Sequence, residues 1–205
     1  MPLSASLMKE LNMGKLILIT GGAKSGKSSE AERQIVAAQL NPVAYVATQS
    51  RAFMDSEMEY KIRKHQESRP ENWITFEEYI KVAALLESLE GYQAVLIDCV
   101  TLWITNQLFY FIDQSGYDHE YSEYSKEQLE AIEGYLLKEL NQIFQAIDKS
   151  QASFWLVSNE VGLGIVPESA LSRLFRSYQG LINQAIAEQA DEVYFSIAGI
   201  PVQIK

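Results

Sequence analysis

The sequence predicts a doubly wound α/β fold, a mostly parallel sheet with helices on both faces. Three observations lead there. Short apolar runs alternate with stretches of helical spacing along the chain, the order that builds a parallel sheet through crossover helices. The runs are apolar throughout rather than alternately, as in strands buried on both faces. A glycine-rich loop joins the first run to the first helical stretch, where such folds bind ligands beyond the carboxyl ends of their strands.

Taken in order, residues 1–13 read as a polar tail or a fraying helical turn outside the fold proper. Residues 14–205 read as one domain. Lys15 to Thr20 is the first strand, ended by Gly21 and Gly22. Ser28 to Leu40 has helical spacing and stops at Asn41 and Pro42. Val43 to Thr48 is a second strand. Asp55 to Glu67 reads as an amphipathic helix with a capping-box signature, Ser56 with Glu59 three residues on. Ile80 to Leu89 is another helix, Ala94 to Asp98 another buried strand, and Leu102 to Phe111 a very apolar helix. Asp113 to Glu127 is polar, aromatic and acidic, and reads as a surface loop. Leu129 to Ile147 is a long amphipathic helix, Ser153 to Ser158 a strand, Glu168 to Gln189 a helix, and Val193 to Ala198 a strand. Right-handed crossovers leave only doubly wound topologies for this order.

Composition narrows the function. Of 205 residues, 47% are hydrophobic and 21% charged, the balance of an ordinary globular domain. The 17 Lys and Arg against 27 Asp and Glu leave a net charge of −10, whose field repels nucleic-acid phosphates. One cysteine and two histidines exclude a disulfide framework and a Cys/His zinc site on ligand count. No apolar run approaches the ~20 residues of a membrane span, and Met1 to Met13 lacks a signal-peptide pattern. The expectation is a soluble, cytoplasmic protein with no nucleic-acid partner.

The loop after the first strand carries the most specific chemistry. Gly21, Gly22, Ala23, Lys24, Ser25, Gly26, Lys27 and Ser28 fit G-x-x-x-x-G-K-[ST] in the strand–loop–helix context the pattern requires. Glycines allow successive N–H groups to turn inward at phosphate oxygens, and the following helix adds the positive end of its dipole. Lys27 is placed to reach the terminal phosphates and the Ser28 hydroxyl to ligate Mg²⁺. These features make the expected fold a P-loop NTPase of RecA-like type. Asp98, at the end of an apolar strand, is the candidate second metal ligand. The alternative is that Asp98 caps the helix at Leu102 or bonds loop amides.

His65 is the candidate nucleophile. Met58, Ile62 and His65 share one face of the predicted helix, so the bland reading is a histidine ending a core stripe. Arg63, Lys64 and Arg69 nevertheless gather cations around it in an acidic chain, as a polyphosphate requires, although such a cluster also suits a solvated face. An imidazole with a reference pKa of about 6.5 is mostly neutral at pH 7 and attacks without a separate base. His119, within an acidic stretch, reads as solvated.

These residues resemble one family along nearly the whole chain, from about Lys15 to Lys205. They are the loop from Thr20 to Ser28, Tyr45 to Thr48, Lys61 to His65 with Arg69, Pro70 and Trp73, and Asp98 to Trp103 with Asn106. Val157 to Glu168, Arg173, Arg176, Asn183, Ala190 to Val193 and Ala198 to Pro201 complete the set. The family is the bifunctional adenosylcobinamide kinase/adenosylcobinamide-phosphate guanylyltransferase. The resemblance implies phosphorylation of adenosylcobinamide by ATP or GTP, then transfer of GMP from GTP through a guanylylated His65. It implies nucleotide contacts at Gly21 to Ser28, at Ala47, Thr48 and Gln49, at Gln66, Glu67, Ser68 and Arg69, and at Glu77 and Asp98, with Mg²⁺ as cofactor. It implies a homo-oligomer, a trimer. Lys24 departs from the arginine common at that loop position, keeping the charge but losing a bidentate fork.

Phosphoryl transfer engages the γ-phosphate and guanylyl transfer the α-phosphate, so either the nucleotide binds in two ways or the protein moves between steps. Arg173 and Arg176, close on one helix, read as phosphate ligands or as surface partners of Glu residues. Ser158 to Gly164 reads as a loop over the site or as a tight connection. Two rival functions fit the loop: a single-function small-molecule kinase with a structural His65, and a non-catalytic nucleotide switch. The chain's lack of an Asn-Lys-x-Asp guanine motif counts against the second.

Overall fold

The computed structural model describes residues 14–50, 70–118 and 124–205. The predicted helix Asp55 to Glu67, with His65 and Gln66 to Arg69, and His119 lie outside the described residues.

The chain forms β1 (Leu16–Gly21), α1 (Lys27–Ala37), β2 (Val43–Ala47), β3 (Ile74–Glu77), α2 (Val82–Ser88), β4 (Ala94–Asp98) and α3 (Val100–Ser115), followed by α4 (Lys126–Asp148), β5 (Ser153–Asn159), α5 (Ala170–Gln189), β6 (Glu192–Ile197) and β7 (Ile200–Gln203). The sheet order is β3-β2-β4-β5-β1-β6-β7. Its pairings are parallel, with the exception of β6 with β7. The predicted doubly wound α/β class is therefore observed, with one antiparallel edge.

Side-chain alternation divides the core into two layers. Leu16, Leu18, Val46, Val95, Ile97, Phe154 and Leu156 face α2, α3, α4 and α5. Ile17, Ile19, Tyr45, Leu96, Trp155 and Val157 face Ala31 and Ile35 of α1. Strands apolar at every position are what this two-sided burial demands.

Four expectations change. β3 was not expected: Ile-Thr-Phe-Glu is a short edge strand, mostly exposed, with no continuous apolar run to mark it. β7 was not expected either. It carries Pro201, which an edge strand tolerates. Its two-residue turn, Ala198 and Gly199, has φ of 50° and 82°, the twist of a type I′ hairpin. The helix expected at Leu102 begins at Val100 and runs to Ser115, where Gly116 at φ 67° ends it. Trp103, Ile104, Leu108 and Ile112 of this helix are buried core. Finally, the predicted loop Asp113 to Glu127 is shorter than expected. A capping box of Ser125 with Gln128 starts α4 at Lys126, and Tyr117 packs on Phe111 and Tyr124 on Tyr117, all three against the core.

Candidate active site

The carboxyl ends of the strands bring the candidate residues into one row. Gly21 pairs across from Asn159 and Ser196, and Ala47 across from Glu77 and Asp98. Gly21, Ala47, Glu77 and Asp98, far apart in sequence, thus share one edge of the sheet. Strand β5 separates β1 from β4 and continues the row through Asn159.

The loop Gly21 to Ser28 turns between β1 and α1, the strand–loop–helix setting of the candidate cradle. Gly21 has φ 152°, and a Cβ there would stand 2.4 Å from the Ser196 carbonyl oxygen. Gly26 has φ 93°, and its Cβ would stand 3.2 Å from Gly199 Cα. The β6–β7 turn therefore buttresses the cradle from the side, and Gly199 N–H donates to the Ser25 carbonyl at 2.9 Å. Lys24 has φ 54°, so its side chain leaves the turn from a left-handed position. Gly26 is the N-cap of α1 and supplies no side-chain cap. The first amides of that helix consequently remain donors for an anion.

A substitution at Gly21 should be costly. Gly21→Ala puts a methyl carbon against backbone and forces a shift in both β6 and the loop, at about 2–3 kcal/mol. Thermal unfolding should fall by roughly 5–10 °C, and nucleotide affinity should fall with it in a fluorescent-analogue titration. Unchanged values in both assays would contradict the packing described.

Lys27 is buried, and its Nζ donates to the Gly22 carbonyl at 2.8 Å across the cradle. Burial pulls its ammonium below the ordinary lysine value, while Cys99 and Asp98 push it back up. Asp98 does not cap the next helix: Cys99 is the N-cap, and the Asp98 Oδ2 accepts from the Tyr45 hydroxyl at 2.9 Å.

The turn after Asp98 is pinned from β2. The Thr48 hydroxyl accepts from Cys99 N–H at 2.8 Å and donates to the Cys99 carbonyl at 2.7 Å. Asn106 Nδ2 donates to the Thr48 carbonyl at 2.8 Å, and Thr48 is fully buried. Thr48 thus presents no free hydroxyl; it fixes the backbone around Asp98. Gln49 Nε2 donates to the Ser50 carbonyl at 2.9 Å. Glu77 ends the exposed β3, and the neighbouring Glu78 Oε1 accepts from the N–H groups of Tyr79, Ile80 and Lys81 at 2.9 Å each, ordering the turn into α2.

Cys99 sits in the same buried turn, and burial first, then the Asp98 charge, pushes its thiol up to about 12. Its pH consequence has a definite sign. The folded state keeps the thiol neutral where the unfolded chain ionises near its ordinary value of 9.0. Its contribution to stability is intact below about pH 9 and is lost as pH rises toward 12. Urea midpoints of the wild type should drop more between pH 8 and 10.5 than those of Cys99→Ala. An equal drop in both proteins would exclude the effect.

The segment after β5 is anchored rather than loose. Glu160 N–H donates to the Gly21 carbonyl at 2.9 Å, tying this segment to the cradle. Arg176 donates to the Gly162 carbonyl, and Arg173 to the carbonyls of Pro167 and Glu168. In this structure both arginines hold backbone carbonyls, and Arg176 Nη1 is buried without a hydrogen-bond partner among the described residues. Beneath them Ser158, Gln179, Asn183 and Asn159 form a hydrogen-bonded network.

A P-loop NTPase is the class this geometry defines: a strand–cradle–helix with a buried lysine, and an acid two strands away in the same sheet. The sequence pattern of the family described as cobinamide kinase / cobinamide phosphate guanyltransferase matches residues 17–204. The chain is 39% identical over 191 residues to the bifunctional adenosylcobalamin biosynthesis protein CobU of Escherichia coli K12, covering 93% of this chain and 99% of that one. It is equally similar, at 39% over 191 residues, to CobU of Salmonella typhimurium LT2, with the same coverage. To the bifunctional adenosylcobalamin biosynthesis protein CobP of Pseudomonas aeruginosa it is 36% identical over 189 residues, covering 92% of this chain and 96% of that one. The chain belongs to the cobinamide kinase / cobinamide phosphate guanyltransferase family.

Sequence reasoning named the cradle, Lys27 and Asp98. It missed Tyr45 as the partner of Asp98 and Ser196 and Gly199 as the walls of the cradle. No local pattern marks them, because each acts across a strand pairing. Among the described residues no three His, Cys, Asp or Glu side chains cluster as a metal cage. Among them also, no helix is long and apolar enough to cross a membrane.

Proposed function

We propose that this protein phosphorylates adenosylcobinamide from a nucleoside triphosphate and then transfers GMP from GTP to the product, giving adenosylcobinamide-GDP and pyrophosphate. The observation that carries the reading is the cradle, closed by Gly21 and Gly26 against the β6–β7 turn, with the buried Lys27 bonded across it to Gly22. Family membership supplies the substrate.

In the first step the cradle amides and Lys27 hold the β- and γ-phosphates while the acceptor hydroxyl oxygen attacks the γ-phosphorus in line. The new O–P bond forms, the β–γ bridging P–O bond breaks, the nucleoside diphosphate leaves and the hydroxyl proton passes to water. Ser28 and Asp98 are the residues that would hold Mg²⁺, which neutralises phosphate charge when bound. In the second step a ring nitrogen of His65 attacks the α-phosphorus. An N–P bond forms, the α–β bridging P–O bond breaks, and pyrophosphate leaves into the donors that held the β- and γ-phosphates. The phosphate oxygen of adenosylcobinamide phosphate then attacks the same phosphorus, breaking the N–P bond and restoring His65. Ala47, Thr48, Gln49, Gln66, Glu67, Ser68, Arg69 and Glu77 complete the nucleotide contacts of this reading, with Thr48 acting through the backbone it fixes. The active form is a cytoplasmic homo-oligomer, a trimer, built from single domains of residues 14–205.

Incubation of the purified protein with adenosylcobinamide, GTP and Mg²⁺ tests this reading. Mass spectrometry should find the phosphorylated corrinoid early and the GDP-linked corrinoid later, with one pyrophosphate per GDP conjugate. Phosphorylated corrinoid alone would reduce the protein to a kinase, and neither product would reject the proposal.

A further inference from the structure

We infer that Tyr45 is a positioning residue for the metal-binding carboxylate: its hydroxyl fixes Asp98 so that one carboxylate oxygen is presented to the cation that accompanies the nucleotide. This rests on the metal role given to Asp98 above and concerns a residue that plays no part in that reading.

Tyr45 lies in the middle of β2, with its ring only 4% exposed in the layer beneath α1. A side chain buried in that layer has little freedom to swing its hydroxyl. That hydroxyl donates to Asp98 Oδ2 at 2.9 Å, from the strand paired directly with β4. An aspartate at a strand end has two side-chain torsions to settle. The bond restrains both by committing Oδ2 to the tyrosine. The backbone under the carboxylate is fixed independently, by Thr48 on Cys99 and Asn106 on Thr48. Side chain and main chain are thus each anchored from β2 or its continuation. Lys27, whose ammonium pKa burial lowers and the Asp98 charge raises, donates instead to Gly22. It does not take over the carboxylate. Hydrogen-bonded partners of a ligating carboxylate govern metal affinity, commonly by tenfold or more.

The experiment uses the full-length chain, with Mn²⁺ as the probe and electron paramagnetic resonance to count free ion in the presence of GTP. Tyr45→Phe keeps the ring and removes the hydroxyl; Asp98→Asn keeps the shape and removes the charge. Metal-free GTP affinity and the thermal midpoint are measured on both. Tyr45→Phe should weaken Mn²⁺ binding by about tenfold while metal-free GTP affinity stays at the wild-type value. Asp98→Asn should weaken Mn²⁺ binding further. If Asp98→Asn loses the metal and Tyr45→Phe does not, the inference is wrong and the metal role of Asp98 stands. If Asp98→Asn binds Mn²⁺ like the wild type, the metal role falls and takes the inference with it. Equal losses of metal-bound and metal-free affinity in Tyr45→Phe would make the hydroxyl merely structural and overturn the inference.

Discussion

Lys27→Ala is expected to abolish both reactions, by roughly a thousandfold or more in kcat/KM for each. Two effects add. The ammonium leaves the β- and γ-phosphates, where charge develops in phosphoryl transfer and accumulates on departing pyrophosphate. The cradle also loses the bond from Nζ to the Gly22 carbonyl that spans it. Burial has already removed much of the lysine's hydration, as its lowered ammonium pKa records. A desolvated cation interacts more strongly with phosphate than an exposed one does. Stability should move the other way or hardly at all, because the change removes a buried charge. The pairing of lost turnover with an unchanged or raised unfolding midpoint is the signature to look for. If one reaction survives at wild-type rate, the two steps do not share this cradle.

His65→Ala is the second large effect, and it separates the steps. Guanylyl transfer should fall by at least about 10⁴-fold, because no other residue in the reading forms the phosphoramidate. Phosphorylation of adenosylcobinamide should persist within a few-fold of the wild type, since its acceptor is the substrate hydroxyl. Steady-state assays with adenosylcobinamide and with adenosylcobinamide phosphate as separate substrates make the comparison. Loss of both activities together would assign His65 to nucleotide binding. Loss of neither would return the protein to the single-function kinase reading.

What the sequence made legible follows from how local each signal is. The cradle lies within eight consecutive residues, Gly21 to Ser28, and its strand and helix flank it directly. Strands β1, β2, β4 and β5 are buried on both faces and announce themselves as apolar runs. β3 and β7 lie at the sheet's edges, so nothing forces their residues to be apolar, and β7 contains Pro201, a residue central strands avoid. The pairing of Tyr45 with Asp98 spans 53 residues and exists because β2 and β4 are neighbours in space. No periodicity within either strand encodes that neighbour. Arg173 and Arg176 illustrate the same limit. Their spacing suggested phosphate or Glu partners but gave no sign of the carbonyls of Pro167 and Gly162, which the chain returns from β5 to place beside them.

The central claim is that one triphosphate, gripped by the Gly21 to Ser28 cradle, is attacked at its α-phosphorus by His65. Incubation of the purified chain with GTP labelled at the α-phosphate, followed by denaturation, reads this out directly. The account predicts label bound to the wild-type protein, stable in alkali and lost in acid as a phosphoramidate is, and absent from both His65→Ala and Lys27→Ala. Label that persists in His65→Ala, or a wild-type protein that forms adenosylcobinamide-GDP yet never carries label, would contradict it.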